Sequence, residues 1–213
     1  MITNLTAEDL ISFEEEIAEI YKTGVIKGPI HLRGGNEQQL IHIFKDIKEE
    51  DYVLATWANH LEALLFGIPK EKIKQRILDG HSMAMNFSEY NFYTSAIVNG
   101  ISPIGLGLAW AIKQKKEDRK VNICIGDMCF QSGLTLEAIR YSINFDLPCR
   151  WIIADNNLSV DTPTEVAWGG YLRKLYRYFE NEIYYNQCKN VGIKYYSYKN
   201  NYSHSGVGTF VSF

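Results

Sequence analysis

Two spacings of apolar residues alternate along the chain, one helical and one extended. Near the start, Thr6-Ala7-Glu8-Asp9 has the form of a capping box, with Asp in the place usually taken by Glu. Leu10, Ile17, Ile20 and Tyr21 then recur at helical spacing, and Gly24 is a natural stop. A glycine-rich turn runs from Gly28 to Gly35. Beyond it the spacing predicts a helix over Asn36 to Ile47, with Leu40, Ile41, Phe44 and Ile47 on one face. Asp51 to Thr56 reads as a short strand. Pro69 suits the first turn of another helix, which Gly80 ends.

The middle of the chain is more regular. Pro103 opens a helical run, Ile104-Gly105-Leu106-Gly107-Leu108-Ala109-Trp110-Ala111, whose small residues allow close packing on a neighbour. A strand over Val121 to Ile125, a helix over Gly133 to Asn144 and a strand over Leu147 to Ala154 follow with short connections. That alternation predicts an α/β fold with a mostly parallel sheet and helices on both faces. Further on, Leu172 to Lys189 reads as helix, and Lys194 to Tyr198 and Thr209 to Phe213 as strands. With no repeat, low-complexity tract or linker, residues 1–213 are expected to form a single domain.

Composition narrows the partners. The 213 residues carry a formal net charge of -3, with 46% hydrophobic and 22% charged residues, as in a globular protein in water. No basic field points to nucleic acid, and no apolar run of about 18 residues points to a membrane span. The N-terminal stretch is acidic and helix-like, unlike a signal peptide. The cysteines, Cys124, Cys129, Cys149 and Cys188, form no C-x-x-C pair, so a zinc site is not expected and a reducing cytoplasm fits.

The candidate chemistry lies after the two middle strands. Asp127, in Gly126-Asp127-Met128, and Asn156, in Asp155-Asn156-Asn157, each stand just past a strand's carboxyl end. In a parallel sheet those ends share the edge where ligands bind. A carboxylate and an amide oxygen converging there suit Mg²⁺ once a diphosphate supplies more oxygens. Amides opening the helix after Asp127 would favour the same anion. Two structural readings stand beside this one: a strand-end Asp commonly caps a helix, and Asn-Asn commonly makes a turn.

The pair resembles the thiamine-diphosphate motif, Gly-Asp-Gly followed further on by Asn, and the chain from about His31 to His204 resembles the alpha subunit of pyruvate and branched-chain 2-oxo acid dehydrogenases. The likeness runs through several blocks in order: His31-Leu32-Arg33-Gly34-Gly35-Asn36-Glu37, Trp57-Ala58-Asn59-His60, Ser82-Met83, Asn91-Phe92-Tyr93, Ile97-Val98, Pro103-Ile104-Gly105, Glu137-Ala138, Leu147-Pro148 and His204-Ser205. The stretch from Asp155 to Asp161 is also similar to transketolase.

The resemblance implies the thiamine-diphosphate-binding fold, in its pyrophosphate module. It implies Mg²⁺ on Asp127, the Asn156 side chain and the Leu158 carbonyl. Gly126 and the amides of Met128 and Cys129 would approach the diphosphate. Trp57 would line the cofactor, with Ala96 and Val98 offering backbone contacts to its aminopyrimidine. His31, His60 and His204 would act as catalytic residues near the thiazolium, because a group titrating near neutrality can exchange protons with a reacting carbonyl. His42 and His81 match nothing and are read as structural.

The implied activity is cleavage of a C–C bond next to a carbonyl, in a 2-oxo acid or a ketose, with transfer of the acyl or ketol unit. A dehydrogenase-type reaction and a carboligase or transketolase-like transfer both fit, and a non-catalytic regulatory or binding subunit is a further alternative. Met128 stands where the family has glycine, Ala58 where it has arginine and Ala84 where it has histidine. No segment resembles the second module with its activating glutamate, so the resemblance implies a beta-type partner, in an α2β2 assembly.

Overall fold

The computed structural model describes residues 3–169, 172–209 and 211. In chain order the first elements are α1 (Ala7–Lys22), α2 (Glu37–Phe44), β1 (Tyr52–Ala55), α3 (His60–Leu65), α4 (Lys70–Leu78) and β2 (Phe92–Thr94). Then come α5 (Ile101–Lys115), β3 (Val121–Gly126), α6 (Asp127–Gln131), α7 (Gly133–Asn144) and β4 (Cys149–Asp155). The last are β5 (Leu158–Ser159), β6 (Thr162–Pro163), α8 (Thr164–Trp168), α9 (Leu172–Tyr185) and β7 (Gly192–Ser197). They fall into two compact units. One holds residues 1–49, 57–96 and 199–213, the other residues 50–56 and 97–198.

In the first unit α1 begins as its sequence dictates. Thr6 accepts from the Asp9 amide at 3.2 Å, and Asp9 accepts from the Thr6 amide at 2.8 Å, so the box closes with Asp as it would with Glu. Gly35 has φ +90°, and a Cβ there would lie 2.4 Å from the Lys199 carbonyl oxygen, so this turn admits only glycine. The second predicted helix is shorter than its pattern. It ends at Phe44, and Ile43 is buried where Ile41 was expected to be.

The second unit is built on four parallel strands in the order β1, β3, β4, β7. Ile123 is in register with Trp151, so both side chains lie on one sheet face. The helix α5 meets that face at Gly105, where an added Cβ would lie 2.6 Å from Ile123 Cδ1. The Trp151 indole donates to the Ser142 hydroxyl of α7 at 3.1 Å. On the same face Tyr195 of β7 stacks on Tyr176 of α9, their ring centroids 5.3 Å apart. The α/β class, the parallel sheet and the close approach of the small-residue helix all hold.

Other boundaries differ. The helix expected from Pro103 starts two residues earlier, at Ile101, because Pro is tolerated in a first turn. The final expected strand, Thr209 to Phe213, lies mostly outside the described residues, and Thr209 and Val211 are not in a strand. Among the described residues no helix is long and apolar enough to cross a membrane.

Candidate metal and diphosphate site

Strands β3 and β4 run parallel with Gly126 in register with Ala154, so their carboxyl ends lie side by side. Asp127 follows the first directly and Asn156 the second. Both therefore stand at one edge of one sheet, in the second unit. Asp127 opens the short helix α6 and is buried, 5% exposed. Its Oδ1 accepts from the Met128 amide at 2.8 Å, and its Oδ2 accepts from the Thr164 hydroxyl at 2.9 Å.

A second carboxylate comes to the same place. Asp155, the last residue of β4, is buried and accepts from the Asn157 amide at 2.8 Å and from the Tyr195 hydroxyl. Burial first, and then the charge of Asp155 beside it, push the Asp127 carboxyl up to about 7, against the hydrogen bonds from Thr164 and the Met128 amide. Two carboxyls out of water at one sheet edge form a donor set suited to a small divalent cation, which would offset the repulsion between them. Among the described residues no three His, Cys, Asp or Glu side chains gather as a metal site.

The Asn156 side-chain oxygen accepts from the Leu158 amide at 3.0 Å, an Asx turn. Asn157, at φ 62°, takes the left-handed conformation that Asn tolerates. The Asn-Asn pair is thus a turn, as one sequence reading held, and that turn is what sets Asn156 at the strand end. Leu158 begins a small hairpin in which β5 pairs with β6.

Met128 is not strained in the family's glycine position. It lies within α6 and is not among the residues with positive φ. Gly126 is extended, at φ −83°, and a Cβ there would meet nothing nearer than the Ala154 carbonyl oxygen at 4.0 Å. Cys129 is buried, which pushes its thiol up. Val98 is half exposed, with Ala96 also exposed.

An open cleft of about 700 Å³ adjoins these groups, lined in part by Asp155, Asn157, Thr164, Arg173, Tyr176 and Tyr195. Sequence reasoning missed Asp155 as a contributor, although it is the residue before Asn156. It missed Thr164 and Tyr195 for want of any local signal.

The first unit gathers the aromatic residues and histidines. The His31 ring centroid lies 4.9 Å from that of His204 and 6.0 Å from that of Trp57. His31 Nδ1 donates to the His204 carbonyl oxygen at 2.6 Å, and Nε2 lies 3.1 Å from Met83 Sδ. His60 is buried with both nitrogens engaged, Nδ1 by the Glu14 carboxylate at 3.1 Å and Nε2 by the Ser82 hydroxyl at 2.8 Å. Arg33 donates to Glu62 and to the carbonyl oxygen of Ala58, the residue that replaces the family's arginine.

Residues 6–169 match the family model described as Dehydrogenase E1 component. The pyruvate dehydrogenase E1 component subunit alpha of Rickettsia bellii is 29% identical over 178 residues, 78% of this chain and 53% of that protein. The mitochondrial subunit alpha of Sminthopsis macroura is 27% identical over 157 residues, 70% of this chain and 43% of that protein. The testis-specific mitochondrial form of Homo sapiens is also 27% identical, with 70% and 40% covered. The chain spans about half the length of the curated relatives it matches. The match covers both strand-end segments of the candidate site, and the likeness to dehydrogenase alpha subunits read from the motifs holds: the chain belongs to the dehydrogenase E1 component family.

Proposed function

We propose that this chain is the diphosphate-binding, alpha-type subunit of a thiamine-diphosphate-dependent enzyme acting on a 2-oxo acid. One observation carries the reading: Asp127 and Asn156 stand at the carboxyl ends of adjacent parallel strands, with a second buried carboxylate between them in sequence. The Asp127 carboxylate, the Asn156 amide oxygen and the Leu158 carbonyl would hold Mg²⁺, which would join the protein to the diphosphate. When bound, thiamine diphosphate supplies the carbon nucleophile and the electron sink for breaking a C–C bond next to a carbonyl.

The chain's own contribution is position and charge. Asp127 and Asn156 would orient the diphosphate end, with the backbone from Gly126 to Cys129 following it. Trp57, Ala96 and Val98 keep the cofactor contacts that the resemblance implies, and His31, His60 and His204 the proton-handling roles. His60 has both nitrogens held by strong polar partners, the Glu14 carboxylate and the Ser82 hydroxyl, whereas His31 Nε2 faces only the weak acceptor Met83 Sδ, so His31 is the better placed of the two to exchange a proton. The activating glutamate would come from a beta-type partner in an α2β2 assembly. A cytoplasmic setting suits four cysteines that are all free thiols.

Calorimetry with thiamine diphosphate and Mg²⁺, on the chain together with its partner, tests the proposal. Saturable heat that disappears in Asp127→Ala supports it. No heat at saturating cofactor would favour a non-catalytic binding subunit instead.

A further inference from the structure

Thr164 touches both strand-end segments at once. Its hydroxyl donates to Asp127 Oδ2 at 2.9 Å, and its amide donates to the Asn157 carbonyl oxygen at 3.0 Å. The residue is buried and opens α8 directly after Pro163. Pro163 pairs with Leu158 across the β5–β6 hairpin, so the backbone of Thr164 is set by the hairpin that begins at Leu158. The hydroxyl then has a fixed origin from which to reach Asp127.

A carboxylate turns about its last bond unless both oxygens are held. Here the Met128 amide holds Oδ1 at 2.8 Å and Thr164 holds Oδ2. Each oxygen keeps a further lone pair, so neither bond prevents coordination. The companion carboxylate is fixed in the same manner, since Asp155 accepts from the Asn157 amide and the Tyr195 hydroxyl.

Resting on the metal-binding reading above, we infer that Thr164 is a positioning residue: it ties the Asp127 carboxylate to the Asn156–Asn157 turn and so sets the separation of two oxygens that meet a divalent cation bound to diphosphate. The consequence is selectivity as well as affinity. Mg²⁺ and Mn²⁺ are small, and Mg²⁺ in particular demands near-ideal octahedral geometry, whereas Ca²⁺ accepts irregular shells. Loosening the separation therefore weakens the small ions more.

The test uses the full chain with inorganic pyrophosphate. Free Mn²⁺ is followed by electron paramagnetic resonance, and Ca²⁺ is measured by competition. Thr164→Val keeps the branched shape and the amide but lacks the hydroxyl. It should lose about ten- to a hundredfold in Mn²⁺ affinity, the worth of one hydrogen bond to a charged group, and its preference for Mn²⁺ over Ca²⁺ should narrow. Thr164→Ser should recover most of both. Should Thr164→Val melt below the assay temperature, Thr164→Ala set against Thr164→Ser makes the same comparison through one oxygen. Parent-like binding in Thr164→Val, equal losses in the Val and Ser variants, or equal weakening of both ions would overturn the inference. A parent chain that takes up no Mn²⁺ with pyrophosphate would refute the metal reading beneath it.

Discussion

Nδ1 of His31 lies 2.6 Å from the carbonyl oxygen of His204, at a sequence distance of 173 residues. A carbonyl can only accept, so Nδ1 carries the proton and the neutral ring keeps its lone pair at Nε2, beside Met83 Sδ. Burial lowers the His31 pKa below 6.5. The His204 carbonyl works against that shift, while the charges of His204 and His60 add to it. Below 6.5 the unfolded chain therefore binds more protons at this position than the folded one. Stability should rise with pH from the folded value up to 6.5 and then level off. Denaturant melts across that range should show this slope in the parent and a smaller one in His31→Gln. Nitrogen-detected NMR should find His31 as the Nδ1–H tautomer at neutral pH.

Gly105 should tolerate no side chain. An added Cβ would lie 2.6 Å from Ile123 Cδ1 and 2.8 Å from Ile123 Cγ1. Gly105→Ala gains helix propensity worth about 1 kcal/mol, but overpacking costs about 1–3 kcal/mol, and the strand side has little room to shift. The variant should melt at a lower temperature than the parent. Adding Ile123→Val, which removes the nearer of those atoms, should recover part of the loss in a double-mutant cycle. Additive losses would show that the contact is not the cause.

Asp146 should anchor the segment that leads into β7. It accepts from the amides of Lys189 at 2.9 Å, Asn190 at 2.8 Å and Val191 at 3.3 Å. Burial raises its pKa, but these donors outweigh that and hold it below 3.8. A lowered carboxylate contributes stability that is present above 3.8 and lost as pH falls through the folded value. Asp146→Ala should cost about 1–2 kcal/mol at neutral pH, because three backbone amides and the Asn190 side-chain amide lose a partner. The gap from the parent should close in acid, and hydrogen exchange should quicken at residues 189–191.

Much of this was legible in the sequence because it is local. The capping box at Thr6 and Asp9, the bounds of the helix Gly133 to Asn144 and the carboxyl ends of β3 and β4 follow from spacing alone. From these the shared sheet edge of Asp127 and Asn156 could be inferred. The six-residue α3 and five-residue α6 were not foreseen, since elements that short leave no room for a period. Tyr195 reaches Asp155 from 40 residues away, and Thr164 reaches Asp127 from 37. Their roles come from the parallel pairing of β4 with β7 and from the hairpin after Asn157, which no residue type announces. At Met128, where the family has glycine, the residue takes ordinary helical geometry that any side chain can adopt.

Crystals of the chain grown with Mn²⁺ and thiamine diphosphate would test the metal site most directly, through the anomalous signal of the ion. The expected peak lies about 2.1 Å, a small divalent ion's distance from oxygen, from both the Asp127 carboxylate and the Asn156 side-chain oxygen. A peak bound elsewhere, or none at saturating ion and cofactor, would contradict the account.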